Sequence, residues 1–374
     1  MRVLALEPYY TGSHRYFLDE WSRRSAHDWD LITLPGHHWK WRMRHAAITF
    51  ARKVATRVEQ GQRWDRVVCT DMLNLAEFRG LAPAVVGRLP AVCYFHENQM
   101  TYPVRFPVER DHHFGMSNFA AAVAADAVWF NSQYHLEVFH QALEAWLRKM
   151  PEDRCLSDFE NMVQRSCVAS PGIEVGPPRD PREEGPIRIV WASRWEYDKA
   201  PEIFFKAMTA VKARGVAFRL SVLGESFRDV PPVFASAEER FDTEIDHWGY
   251  AQDRNDYLHT LRQADLFVST AKHEFFGLSA CEAMAQGAVP LLPQRLAYPE
   301  LLELQHRPHH AVYFYAGDAA TLAERIVQLA EQVQDATAWH ALGEQARACT
   351  TRYAWSARVE AMDAALADVV VREA

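Results

Sequence analysis

Short apolar runs alternate with longer stretches of helical periodicity along the whole chain, and this alternation restricts the fold more than any single motif does. RVLALE, DWDLITL, DRVVCT, AVCYFH and DAVWFN punctuate the first half, and IRIVWAS, FRLSVLG, DLFVST and AVPLLP the second. Runs of this length between amphipathic stretches read as strands of βαβ units, which build parallel sheets. Between the two sets lies SPGIEVGPPRDPREEGP, too rich in proline, glycine and charge to sustain a strand or a helix. It marks a boundary between two α/β domains, residues 1–180 and 181–374, with a final amphipathic helix in WSARVEAMDAALADVV expected to pack back toward the first. Open α/β sheets bind ligands at the carboxyl ends of their strands, so two such domains are expected to hold a ligand in the cleft between them.

A chain of 374 residues, 49% of them hydrophobic, can fill two cores. The formal net charge of −8 argues against a protein that coats nucleic acid over its whole surface, and leaves room for a local basic patch. The apolar run at the N-terminus is too short for a secretory signal and is broken by Glu7, and no run approaches the roughly 18 residues of a membrane span, so a cytoplasmic protein is expected. Six cysteines without CxxC spacing read as reduced thiols, and the pairs His112-His113 and His309-His310 lack the helical spacing of metal ligands. No metal is expected.

Four segments carry candidate chemistry. In HEFFGLSACEAMAQG, Ser279-x-x-Glu282 matches a capping box at the start of a helix running from about Leu278 to Gln286. The same segment also reads as an anion site: a helix start after a parallel strand offers free N–H groups to a phosphate, Gly277 permits close approach, and Glu274 and Glu282 are each able to hold the hydroxyls of a sugar or ribose. In IRIVWASRWEYDKAPEIFF, Arg194 and Lys199 project from a strand's carboxyl end, either as surface charge or as partners of a diphosphate. Gly12 and Ser13, before the helix HRYFLDEWSRR, and His96, Glu97 and Asn98, after the strand AVCYF, form two further polar spots at strand ends. Finally, LPGHHWKWRMRHAAITFARKVATRVEQGQRWDR is the basic part of an acidic protein. It is either a solvated helix whose tryptophans turn inward, or a surface where cations meet phosphates and aromatic faces meet unstacked bases.

The paired glutamates with their Gly-Leu-Ser turn resemble the motif of retaining glycosyltransferases of the family 4 type, which have two facing Rossmann-like domains, the GT-B fold. EPYYTGSHRYF, LPGHHWKWRMRHAA, YFHENQMTYPVR, IVWASRWEYDK, LSVLGESFRDVP, HWGY and STAKHEFFG together resemble the tRNA-queuosine α-mannosyltransferases over almost the whole chain. The resemblance implies transfer of mannose from GDP-mannose, with retention and without a metal or other cofactor, to queuosine at the wobble position of tRNA-Asp. It implies that Glu274 holds the donor sugar, Glu282 the ribose, and Arg194 and Lys199 the diphosphate, with N–H groups from Leu278 and Ser279. Phe276 and Gly277 would line the donor site and His96 would sit beside the sugar. Gly12 would lie near the diphosphate, and Gly224, Glu225 and Tyr250 near the base. Ser13, His14, Glu97 and Asn98 are then candidates for the acceptor, and Trp39, Lys40, Trp41, Arg42 and Arg44 for the anticodon loop. A transferase acting on a small or lipid-linked acceptor, and a non-catalytic tRNA-binding protein, are the competing readings. No membrane or obligate protein partner is expected.

Overall fold

A computed structural model of the protein describes residues 1–104, 111–179, 182, 184–226 and 230–371. The boundary expected between 180 and 181 lies outside them. The chain separates into one unit comprising Met1–Gly172 and the stretch from Trp355, and a second comprising Ile173–Ala354. Among the described residues, no helix is long and apolar enough to cross a membrane.

The first unit is built on β1 (Arg2–Tyr10), β2 (Asp28–Pro35), β3 (Arg66–Thr70), β4 (Ala91–Phe95), β5 (Ala127–Phe130) and β6 (Ser166–Val168). These form a parallel six-stranded sheet in the order β2-β1-β3-β4-β5-β6. Burial of successive residues along β1 fits an interior strand of a sheet covered on both faces. Leu4 and Leu6 enter one core with Phe50, Val67 and Phe95, while Val3 and Ala5 enter another with Trp21, Trp129 and Tyr94. The helix Trp355–Ala367 closes this second core with Trp355, Met362 and Leu366. Burial of those three side chains is worth on the order of 5 kcal/mol. A buried carboxylate fixes the helix further: Asp363 accepts from Trp21 Nε1 and from the backbone N–H of Ala26, both at 2.8 Å.

The second unit contains β7 (Ile187–Ala192), β8 (Phe218–Leu223), β9 (Ile245–Gly249), β10 (Leu266–Val268), β11 (Val289–Pro293) and β12 (Phe314–Tyr315). Its order, β12-β11-β10-β7-β8-β9, reverses between β7 and β10. In the first unit the reversal falls between β1 and β3. In such sheets a crevice opens at the carboxyl ends of the strands where the order turns, so each topology nominates a site before any side chain is considered.

Candidate active site

At the reversal of the second unit, the loop after β7 brings Arg194 and Lys199 toward the loop after β10, which carries His273 and Glu274. Lys199 ends a short 3-10 turn, Tyr197–Lys199, and Pro201 opens the helix Pro201–Ala213 behind it. The lysine is only 7% exposed. Two of its neighbours take hydrogen bonds: Nζ donates to the His273 carbonyl at 2.8 Å and to Glu274 Oε2 at 3.3 Å, and it forms an ion pair with Asp198 Oδ2 at 3.3 Å. Burial alone would make this ammonium easier to deprotonate, but Glu274 and then Asp198 outweigh it and hold Lys199 above the ordinary lysine range. Burial and the neighbouring Lys199 depress His273 to about 4, so its ring is neutral. Glu274 retains one oxygen, Oε1, that takes no bond from any described residue. Arg194 is more exposed and lies 3.2 Å from Glu196.

The helix Leu278–Ala285 follows. Gly277, with φ at 92°, is its N-cap, and no side chain caps it. The capping box Ser279-x-x-Glu282 is therefore not formed, and the helix ends one residue before Gln286. The reason is the left-handed turn at Gly277, which makes the glycine the N-cap, starts the helix at Leu278 and leaves the serine in its first turn. The first backbone bond of the helix runs from Cys281 N–H to the Gly277 carbonyl at 2.9 Å. The N–H groups of Leu278 and Ser279 are among those that a helix start leaves over. Phe276 is buried against Tyr353, ring edge to ring face at 5.2 Å.

Glu282 is buried, and both of its oxygens are engaged: Oε1 by the Arg254 guanidinium and Oε2 by the Tyr257 hydroxyl at 3.0 Å. Neither Arg254 nor Tyr257 stood out in the sequence, because both lie on an ordinary-looking polar helix, Arg254–Gln263. Gly224 and Glu225 follow β8, where the Glu225 carbonyl accepts from Trp195 N–H at 3.0 Å. A Cβ on Gly224 would lie 1.9 Å from the Ser193 carbonyl, so packing alone demands glycine there. Tyr250, after β9, is 58% exposed.

In the first unit, Glu7, His14, Asp71 and His96 assemble where the strand order reverses. Glu7 lies near the end of β1, where the register with β2 shifts between Glu7 and Tyr10. Its Oε1 accepts from Tyr9 N–H at 2.6 Å, and its Oε2 lies 3.2 Å from His14 Nδ1. His14 sits in the first turn of the helix Gly12–Arg24. It is 6% exposed and hence less available to an acceptor than the sequence implied. Gly12, with φ at 50°, has open space where a Cβ would stand, and Ser13 is exposed. Asp71 Oδ1 accepts from His96 N–H at 2.9 Å, and Asn131 donates to the His96 carbonyl at the same distance. Glu97 accepts from Gln99 Nε2 at 3.1 Å. Asn98 is fully buried and its Oδ1 caps Thr101 N–H at 2.9 Å, which ties it to its own loop. Sequence reasoning passed over Glu7 and Asp71; the available signal was a carboxylate at the end of each of two apolar strands.

The basic segment forms the helix Trp39–Glu59, whose N-cap His38 is left-handed. It combines the two readings open in the sequence. Trp39 turns inward to Phe114, 5.1 Å away, beside Met43 and Met72, whereas Trp41 is 64% exposed. Arg42 donates to the Pro35 carbonyl and to His45 Nε2, both at 3.1 Å. Burial and Arg42 together depress the His45 imidazole below its ordinary range, so it is suited to accept. The Arg44 guanidinium lies over Phe114 at 4.5 Å and the Lys40 ammonium near Trp39 at 5.6 Å.

Residues 2–173 match the family described as "tRNA-queuosine alpha-mannosyltransferase N-terminal", and residues 186–332 match "Glycosyl transferases group 1". The tRNA-queuosine alpha-mannosyltransferase of Drosophila melanogaster is 31% identical over 317 residues, which cover 80% of this chain and 81% of that protein. A GDP-mannose-dependent alpha-(1-6)-phosphatidylinositol dimannoside mannosyltransferase of Mycobacterium tuberculosis is 29% identical over 117 residues, covering 31% of this chain and 29% of its own. Among solved structures, the Anabaena protein HepE in complex with UDP superposes with a TM-score of 0.68 at 16% identity, covering 98% of this chain and 100% of that one. A glycosyltransferase from Rickettsia africae gives 0.70 at 12% identity, covering 100% and 99%. These structural likenesses, with the two parallel sheets, fix the fold class as GT-B. The protein is a glycosyltransferase, and the chain belongs to the tRNA-queuosine α-mannosyltransferase family.

Proposed function

We propose that the protein transfers mannose, with retention of configuration and without a metal, from GDP-mannose to the cyclopentene-diol of queuosine at the wobble position of tRNA-Asp, in the cytoplasm. The observation that carries this reading is the Lys199–Glu274 pair, 3.3 Å apart at the strand-order reversal of the second unit, with the helix start at Gly277 directly downstream. A buried ammonium already paired with two carboxylates binds a diphosphate by exchanging a partner, and Glu274 is the partner on the exposed side. Arrival of the donor then does two things at once. The phosphates take the Lys199 charge, assisted by Arg194 and the Leu278 and Ser279 N–H groups, and the released carboxylate turns to the sugar hydroxyls.

Glu282 holds the ribose with its Arg254 and Tyr257 partners, and Gly224, Glu225 and Tyr250 border the base. Charge developing on the leaving phosphate is stabilised by groups already in place, which lowers the barrier without reorganisation. That phosphate takes the acceptor hydroxyl's proton. Exposed Trp41, with Lys40 and Arg44 beside it, supports an RNA-loop surface, since an aromatic face stacks on a splayed base and the cations meet phosphates.

The test combines purified protein, labelled nucleotide sugars, and tRNA from cells with or without queuosine, read by nucleoside mass spectrometry. A hexose from GDP-mannose on queuosine-bearing tRNA alone is expected. Transfer from another nucleotide sugar would change the donor, and transfer to small acceptors without tRNA would replace the reading.

A further inference from the structure

His96 is held more firmly than a loop residue needs to be. Its backbone is bonded at both ends, to Asp71 and Asn131. Its ring lies against His14 with centroids 4.0 Å apart and planes 31° apart, and meets Phe17 at 5.0 Å and Tyr94 at 4.7 Å. Inside this frame Nε2 is buried and has no hydrogen-bond partner. A buried polar atom left without a partner in so firm a frame calls for an explanation, and its place at the strand-order reversal suits a ligand group.

We propose that Glu7 and His14 are positioning residues for His96: an ion pair whose imidazolium lies on the face of the His96 ring, keeps that ring neutral, and so presents its open Nε2 to a hydroxyl of the substrate. The inference rests on the glycosyltransferase reading. A hydroxyl both donates and accepts, so it pairs with either tautomer of a neutral imidazole, whereas a ring protonated at both nitrogens can only donate to it.

The electrostatics agree with the geometry. Burial works against a charged His14, but Glu7 outweighs it, with smaller help from Asp71 and Glu97, and the group rises to about 9. His96 is driven well below its ordinary value by burial first, then by His14 and His135. The charged and titratable groups around the pair are thus Glu7 on β1, Asp71 after β3, Glu97 after β4 and His135, with Tyr9 against the His14 ring edge. Two stacked imidazoles carry one proton charge between them, and Glu7 decides which ring has it.

A rival occupant is a metal ion. Glu7, His14 and His96 bring donor atoms within 4.8 Å of one another, the one such group among the described residues. Imidazoles sharing an ion at about 2.0–2.1 Å radiate from it. Rings that overlap with centroids 4.0 Å apart and planes only 31° apart do not.

Imidazole nitrogen NMR on the unaltered, ligand-free protein decides the protonation states without any acceptor. Doubly protonated His14 and singly protonated His96 at pH 7 are expected. A neutral His14 at pH 7 would overturn the proposal, as would histidine shifts on adding zinc ion that a chelator reverses. The functional arm follows kcat/KM against pH for Glu7→Gln and His14→Gln. Loss of the His14 charge lets His96 protonate nearer its ordinary value, so the acid limb moves to higher pH, and the loss of activity is about tenfold greater at pH 6 than at pH 8. Glu7→Asp retains the wild-type limb. A limb that stays in place in folded variants reduces the pair to structural support, and should a variant fail to fold, the wild-type titration alone decides between the two. If tRNA transfer is absent altogether, the acceptor reading falls while the NMR result still stands by itself.

Discussion

Lys199 and Glu274 are neighbours on which the fold depends unequally. Glu274 is partly exposed, and Lys199 keeps Asp198 and the His273 carbonyl when the glutamate is removed. Glu274→Ala is therefore expected to lose transfer, by at least about a hundredfold, with a melting temperature close to wild type. Lys199→Met is different, because it strands Asp198, 2% exposed, without its cation. That variant is expected to lose activity and about 3 kcal/mol of stability as well, read by urea denaturation. A folded, active Glu274→Ala would remove the glutamate from the reaction.

At the scale of elements, the helix Trp39–Glu59 carries two tryptophans close together in sequence with opposite tasks. Trp41→Ala is expected to weaken binding of queuosine-bearing tRNA several-fold, with stability within about 0.5 kcal/mol of wild type. Trp39→Ala should do the reverse and cost about 2 kcal/mol, since it empties the contact with Phe114. Filter binding and thermal melts separate the two. Composition called for cations beside aromatics and left open which ring faced outward. The answer depends on Phe114, Met43 and Met72, which meet Trp39 only in the folded unit.

The same limit explains which strands were legible. Most strands stood out as apolar runs, whereas β6, β9 and β12 did not, the last being buried but only two residues long. All three lie at sheet edges, where β6 and β9 have a neighbour on one side only and tolerate polar residues such as Asp246 and His247. Glu274, Lys199 and Gly277 could be read in advance because their places follow from strand ends. Arg254, Tyr257 and Asp71 could not, because their partners are distant in sequence and the pairing exists only after folding.

On the scale of the whole molecule, two buried histidines, one charged and one neutral, set the pH range of stability. His14 rises from an ordinary 6.5 to about 9 in the fold. Its contribution is thus complete below about 6.5 and is lost as the pH climbs through 9. His273 moves from 6.5 to about 4, so its contribution is complete above 6.5 and is lost as the pH falls through 4. Each amounts to about 3 kcal/mol. Thermal stability is expected to be greatest near neutral pH, and Glu7→Gln should flatten the alkaline side alone. A second expectation concerns the closing helix. Deletion from Trp355 onward removes the partners of Trp21 and exposes the core of the first unit, so that unit should melt earlier while the second keeps its transition.

That helix also sets an order in time. The residues that begin the first unit leave the ribosome before those of the second, yet the core they share with the closing helix stays open until Trp355, Met362 and Leu366 have been made. The second unit, Ile173–Ala354, contains all of its own strands and is complete before that point. During synthesis the half that starts last is thus free to finish first, and the nascent N-terminal sheet, with Val3, Trp21 and Trp129 unsealed, is the part of the chain in greatest need of a chaperone.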